Sequence, residues 1–296
     1  MISILIPVYN KQITELVTEL QRQIVSKHIA CEFIIADDAS TNLEIRQANR
    51  KTAEKLRIKY IQLEENLGRT KTRTYLAQLS TADYLLFLDA DVMPGNNDFL
   101  KNYLQAITPN VDLVYGGVAY HQTPPKDEEL LRWKYGIKKE VQQLQTRKND
   151  PYQSIISMGF LIKKSLFLEL SGVLDSTAYG MDNVFSFQLK QKKAKVIHID
   201  NPVIHLGLEQ NDVFFKKSLA SIETTILAEK EHLLPNNFRP VQRTYLKLIR
   251  TGMIVPFMMI MKALKKSFEV GVIQNANVVK LDVLKLYHYA QLKQHG

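Results

Sequence analysis

Short apolar runs alternate with amphipathic stretches through the first third of the chain. Ile2–Val8 reads as a buried strand. Lys11–Ser26 carries Ile13, Leu16, Val17, Leu20 and Ile24 on one helical stripe. Phe33–Ala36 predicts a second strand, and a helix rich in Lys, Arg and Glu follows, ending near Leu56. Ile58–Leu63 predicts a third strand, then a loop with Asn66 and Gly68, then a helix ending near Leu79. Tyr84–Leu88 is the fourth predicted strand and runs straight into Asp89-Ala90-Asp91. This rhythm implies an α/β fold: a mostly parallel sheet, helices on both faces, right-handed crossovers.

The middle of the chain is less regular. Val111–Ala119 and Ile155–Ile162 are strand-like, and Lys126–Arg147 reads as one charged helix around Trp133. Lys163–Leu170 predicts a short helix ending at Gly172, and Asn183–Lys192 a further helix before the strand Lys195–Ile199. From Asp212 onward the pattern turns helical, and no internal repeat is visible.

Length and composition narrow the class. The 296 residues suit one large domain or a domain with an appendage. Cys31 is the single cysteine, so no internal disulfide can form, which fits a reducing compartment. The N-terminus lacks the basic and long apolar regions of a signal peptide. No uninterrupted run reaches the eighteen or so apolar residues of a membrane span. A cytoplasmic protein is expected.

The net charge of +9 is unevenly spread. From Asn211 onward there are 13 Lys+Arg against 6 Asp+Glu, a surplus of seven. A basic tail suggests an anionic partner, and a solvated helical face gives the same composition. Within it, Gly252–Met261 is apolar, Met-rich and flanked by Arg243, Lys247, Arg250, Lys262, Lys265 and Lys266. That pattern fits an interfacial helix on the cytoplasmic face of an anionic membrane, or a helix packed on the protein itself. Nothing beyond basicity favours nucleic acid, so none is expected as a partner.

Chemistry is expected at the carboxyl ends of the strands, where open parallel sheets bind ligands. Tyr9-Asn10, Asp37-Asp38, the Asn66–Arg73 segment and Asp89-Ala90-Asp91 all follow predicted strands. If the fourth strand continued, alternation would point Asp89 and Asp91 the same way. Two such carboxylates can hold a hard, oxygen-loving cation beside a diphosphate, Mg²⁺ or Mn²⁺ rather than a thiolate-bound metal. No G-x-G-x-x-G follows the first strand and no G-x-x-x-x-G-K-[ST] occurs, which removes the usual dinucleotide and P-loop cradles.

Four segments carry a family resemblance: Ile4-Leu5-Ile6-Pro7-Val8-Tyr9-Asn10-Lys11, Ala36-Asp37-Asp38-Ala39-Ser40, Glu65-Asn66-Leu67-Gly68-Arg69 and Leu86-Phe87-Leu88-Asp89-Ala90-Asp91. In order and spacing the set resembles family 2 glycosyltransferases, which are inverting, depend on nucleotide sugars and have the GT-A fold. The resemblance implies a Rossmann-like GT-A catalytic domain over residues 1–210, split into a nucleotide-binding half (1–110) and an acceptor-binding half (111–210). Residues 211–296 would form a helical C-terminal extension. It also implies that Pro7 and Tyr9 line the base pocket and that Asp38 accepts a hydrogen bond from the base, typically uracil. Arg73 would lie near the nucleotide, Asp89 near ribose and metal, and Asp91 on the metal, Mn²⁺ or Mg²⁺.

Downstream, Tyr179-Gly180-Met181-Asp182 resembles the family segment whose Asp is the catalytic base. Met181 stands where an acid is usual, on the acceptor side, and Gln188 where an Arg commonly follows. Asp182 could equally cap the helix it begins. In relatives a His placed as His205 is approaches the metal or diphosphate, although a lone His is often purely structural. Trp133 and Tyr135 either wall the acceptor side or pack a helix core. The expected function is transfer of a sugar from a nucleoside-diphosphate sugar, a UDP sugar by resemblance, to a hydroxyl of a glycan or glycolipid in polysaccharide synthesis. The alternatives are a non-catalytic sugar-nucleotide-binding homologue and a nucleotidyltransferase, whose Gly-rich loop is missing after the first strand.

Overall fold

The computed structural model describes residues 1–153, 155–172 and 178–295. The elements begin β1 (Ile2–Val8), α1 (Thr14–Ser26), β2 (Cys31–Asp37), α2 (Leu43–Lys55), β3 (Lys59–Gln62), α3 (Arg69–Leu79) and β4 (Tyr84–Leu88). There follow β5 (Val92–Pro94), α4 (Phe99–Ala106), β6 (Leu113–Tyr115), β7 (Val118–Ala119), α5 (Leu130–Tyr135) and α6 (Leu144–Asn149). Then come β8 (Gly159–Lys163), α7 (Lys164–Ser171), α8 (Asp182–Gln191), β9 (Val196–His198) and β10 (Val203–His205). Four helices complete the chain: α9 (Asn211–Lys230), α10 (Pro240–Arg250), α11 (Ile254–Asn275) and α12 (Val278–His295).

These elements form two compact units. The first comprises Met1–His121, Glu140–Thr177 and Leu189–Gly207; the second comprises Gln122–Lys139, Ala178–Gln188 and Leu208–Gly296.

In the first unit a seven-stranded sheet runs β3-β2-β1-β4-β8-β6-β9. All of its strands are parallel except β8, which is antiparallel to both β4 and β6. The central strands read as continuous apolar runs because both faces are covered: Ile4, Leu5, Ile6, Ile34, Ile35, Leu86 and Phe87 are fully buried. A second sheet, β5-β10-β7, pairs β10 antiparallel to β5 and parallel to β7.

Three expectations are corrected. The strand expected over 111–119 is two strands in different sheets. Gly117, at φ +99°, turns the chain between them, and a Cβ on Gly116 would lie 2.1 Å from the Asn201 carbonyl oxygen. The single helix expected over 126–147 is a 3-10 turn, α5, a π-helical turn at Gly136–Glu140 and α6. Its charged sequence offers no unbroken apolar stripe, and Arg147 is drawn inward, donating from Nη1 to Tyr115 O (3.3 Å) and from Nη2 to Ile199 O (3.1 Å). Finally, β4 stops at Leu88, so Asp89 and Asp91 lie in a turn between β4 and β5 and not on one strand face.

The second unit is helical. Leu131, Phe214, Met261, Val272, Leu281 and Leu284 share its main core. Asn211 ties the irregular 127–131 stretch to this core. Its Oδ1 accepts from Leu131 N (2.8 Å), and its amide donates to Asp127 O (2.8 Å) and Ile273 O (2.9 Å). The apolar stretch at 252–261, short in sequence, is the start of the 22-residue helix α11.

Candidate active site

The carboxyl ends of β1, β2 and β4 are cross-linked by short polar bridges. Pro7 is near the end of β1, and Tyr9 stands exposed just beyond it. Asn10 donates its amide N–H to Ser40 Oγ (2.9 Å), and its Oδ1 accepts from Asn42 N (2.9 Å). The buried Asp37 accepts from Ser40 N (2.7 Å) and from the Tyr60 hydroxyl (2.7 Å). Burial, then this bond to the carboxylate, pushes the Tyr60 phenol up. Asp38 grips the next loop, its two oxygens accepting from Leu67 N (2.8 Å) and Gly68 N (2.9 Å). Each carboxylate oxygen keeps further acceptor capacity for an incoming donor.

That grip sets the start of α3. Gly68, at φ +80°, occupies its N-cap, and the helix presents Arg69 and Arg73 one turn apart. Arg73 is buried and donates from Nη2 to Asp89 Oδ1 (2.5 Å) and to Ser157 O (2.5 Å). Its guanidinium also lies 6.0 Å from the Phe87 ring centroid and 5.8 Å from that of Phe160. Arg69 Nη1 meets the other Asp89 oxygen at 3.3 Å. Asp89 is thus held by two cations and by its own N–H, which donates to Met158 O (2.9 Å).

Asp91 has different company. Pairing of β5 with β10 places His205 opposite Val92, the residue after Asp91. His205 Nε2 lies 3.5 Å from Asp91 Oδ2, and Leu206 N donates to Asp91 O (2.8 Å). A contact of 3.5 Å is long for a hydrogen bond. It suits two neighbouring ligands of one cation, since donors at about 2.1 Å from an ion and about a right angle apart lie roughly 3 Å from each other. Burial opposes the charge on Asp91, but His205 and the charge of Lys11 outweigh it, and the carboxyl is held below its ordinary value. His205 is buried, stacks edge-on to Tyr120 at 5.4 Å, and its Nδ1 has no hydrogen-bond partner among the described residues. A Cβ on Gly207 would fall on Asp91 Oδ2, so a side chain there would have to push this carboxylate aside. Among the described residues no cluster of three His, Cys, Asp or Glu side chains forms a complete metal shell.

The remaining candidates belong to the second unit. Asp182 is the first residue of α8. Gly180, at φ +101°, turns the chain into that helix, and a Cβ there would meet Ser221 Cβ at 3.0 Å. Asn183 N and Nδ2 both donate to Gly180 O, at 3.2 and 3.0 Å. Thus Asn183, not Asp182, closes this turn, and no described residue engages the Asp182 carboxylate. Met181 is half-buried beside it, and Gln188 Nε2 reaches Leu233 O at 3.5 Å. Trp133 is half-buried on α5 and borders an open groove shared with Asn275, Asn277 and Val279.

Sequence reasoning gave no role to Arg69, Ser157 or Gly207. Arg69 sits four residues before Arg73, a helical repeat of cations that was open to reading. Ser157 contributes a backbone carbonyl, which leaves no trace in sequence.

The sheet with its flanking helices and small side sheet has the GT-A architecture of glycosyltransferases, here followed by a helical C-terminal region. The family model for glycosyl transferase family 2 matches residues 3–170, more than half of the chain, and the chain belongs to that family. The mannosyltransferase PcManGT from Pyrobaculum calidifontis, solved with GDP-Man and Mn²⁺, is similar in structure. Its TM-score is 0.62 at 15% identity, with 99% of this chain and 86% of that one covered. TarS 1-349 of S. aureus, solved with UDP-GlcNAc, gives 0.53 at 18% identity, covering 99% and 92%. Mannosyl-3-phosphoglycerate synthase from Rubrobacter xylanophilus gives 0.52 at 15% identity, covering 79% and 76%. No curated protein matches the chain in sequence.

Proposed function

We propose that this glycosyltransferase moves a sugar from a nucleoside-diphosphate sugar, a UDP sugar, to a hydroxyl of a glycan or glycolipid, with inversion at the anomeric carbon. The observation that carries the reading is the pairing of Asp91 with His205 beside an Asp89 already neutralised by Arg69 and Arg73. Asp91 and His205 would hold Mn²⁺ or Mg²⁺, with diphosphate oxygens and water as the other ligands. Such an ion supplies charge neutralisation for a leaving diphosphate. The neighbours solved with GDP-Man and Mn²⁺ or with UDP-GlcNAc support a nucleotide-sugar donor.

The chain's own residues divide the work. Pro7 and Tyr9 flank the base, and Asp38 both steadies the loop before α3 and accepts from the base. Arg73 orients Asp89 toward the ribose. The carboxylate of Asp182 removes the proton of the acceptor hydroxyl as that oxygen bonds to the anomeric carbon and the bond to the diphosphate breaks. Trp133 and Met181 belong to acceptor binding. Residues 1–210 form the catalytic domain in this reading and 211–296 its helical extension.

The test is release of nucleoside diphosphate from a panel of UDP and GDP sugars with Mn²⁺, in the presence and absence of acceptor sugars. Turnover of at least one donor that stops on chelation supports the reading. Tight nucleotide-sugar binding without any turnover would mark a non-catalytic homologue.

A further inference from the structure

The helical unit carries a surface that folding alone does not account for. α10 and α11 meet at a bend of 118°, with Gly252 at φ +69° in the connection. Around this bend Ile249, Met253, Val255, Met259, Ile260 and Leu264 are exposed, Met259 to 70%, Val255 to 61% and Ile260 to 57%. The opposite side of α11 packs inward through Met261 and Val272, with Phe257 and Phe268 against the same core. The first two turns of α11 are therefore apolar on both sides, although only one is covered. Scattered exposed apolar residues are ordinary, but a contiguous group marks an interaction surface.

Cations surround the patch. Lys247 and Arg250 on α10, and Lys262 and Lys266 on α11, are exposed and pair with no acidic side chain among the described residues. Lys265 alone reaches an acid, Glu269, at 3.7 Å. This charge pattern selects the occupant. Protein interface cores are depleted in lysine, and a second copy laid on the patch would set like charges against each other. An anionic bilayer satisfies both features at once, taking the apolar side chains below the headgroups and the lysines onto the lipid phosphates. No single helix among the described residues is long and apolar enough to cross a membrane; the bent pair α10–α11 reaches that length and apolarity only together, and its unpaired cations favour a contact at the surface.

We propose that the α10–α11 corner docks the protein on an anionic membrane surface, with Val255, Met259 and Ile260 entering the headgroup–acyl boundary and Lys247, Arg250, Lys262 and Lys266 on lipid phosphates. The inference rests on this surface alone and stands apart from the glycosyl-transfer reading.

The test is co-sedimentation of the full chain with phosphatidylglycerol–phosphatidylcholine vesicles and with pure phosphatidylcholine vesicles. Binding is expected on the anionic vesicles only, and it should fall several-fold as salt shortens the screening length from about 10 Å to about 3 Å. Met259→Glu with Ile260→Glu should weaken it at least about tenfold. Lys262→Glu with Lys266→Glu should do so by more than about tenfold, since each basic residue near such a surface contributes about fivefold. All four side chains are exposed, so the melting temperatures of both variants should match that of the parent. Equal binding to neutral vesicles, or unaltered binding by the Met259→Glu/Ile260→Glu variant, would overturn the proposal. So would a chain that ignores vesicles at low salt but forms a dimer that the same variant dissociates.

Discussion

The carboxylates that follow the sheet strands and the one that begins α8 are met by the protein in opposite ways. In the sheet unit Asp37, Asp38 and Asp89 are each engaged by two or more protein donors. In the helical unit Asp182 begins a helix with no described residue on its carboxylate, and apolar side chains line the outside of α11. Donors fixed before a ligand arrives cost no reorganisation when charge develops, which suits a diphosphate site. Groups left open are available to whatever binds next. The strand-end carboxylates are fixed by the fold and the Asp182 carboxylate is left open, although the helical unit also holds a closed acid, Glu229, which accepts from Gln242 and Tyr289.

This contrast separates effects on rate from effects on stability. The largest expected change is in turnover of Asp182→Asn, a loss of about 10²–10⁴. Its melting behaviour should stay within about 1 kcal/mol of the parent, because only a favourable helix-dipole interaction is lost. A variant that loses fold and turnover together would erase the contrast. Next is Arg73→Met, which strands the largely buried Asp89 with only the partly exposed Arg69. Removing one partner of a buried pair costs about 3–5 kcal/mol, so chemical denaturation should show the sheet unit failing first. Asp38→Ala leaves the N–H groups of Leu67 and Gly68 without their acceptor. A cost of about 1–3 kcal/mol is expected in urea melts, with a further loss of uridine preference measured by calorimetry.

The smallest effect is a pH dependence at Glu32. Burial raises this carboxyl, but hydrogen bonds from Ser3, Thr81 N and Ser80 outweigh it and hold it below its ordinary value. Its contribution is therefore present above the unfolded carboxyl value of about 4.3 and is lost as pH falls through the lower folded value. Glu32→Gln should lower stability slightly at neutral pH and converge with the parent as the pH falls, so that its acid limb is flatter. An identical acid limb in parent and variant would remove Glu32 from the account.

Local pattern carried the strand-and-helix order of the first third, because buried parallel strands must be apolar and the polar groups that end them must be turns or ligand contacts. The Asp37-Asp38, Asn66–Arg73 and Asp89-Ala90-Asp91 segments stand out for that reason, and the family resemblance singles out Asp38, Arg73 and Asp91 within them. Pairing between distant segments could not be read. Nothing in Gly159–Lys163 announces that β8 enters antiparallel between β4 and β6. Nor does the turn Asp89-Ala90-Asp91 announce that one acid faces two arginines and the other a histidine more than a hundred residues on. The 126–147 stretch misled because helix-favouring charged residues can look continuous while Gly136 and Arg147 serve other contacts. The exposed side of α11 was invisible as well, since apolar sequence does not say which half of a helix is covered.

In the proposed reaction Asp91 and His205 join a divalent cation to a nucleoside diphosphate. Calorimetric titration of UDP into the parent and into Asp91→Asn, each with and without Mn²⁺, tests it most directly. Mn²⁺ should tighten UDP binding to the parent by at least about tenfold, the loss associated with disturbing a metal site, and this gain should disappear in Asp91→Asn. UDP binding of equal strength in all four titrations would contradict it.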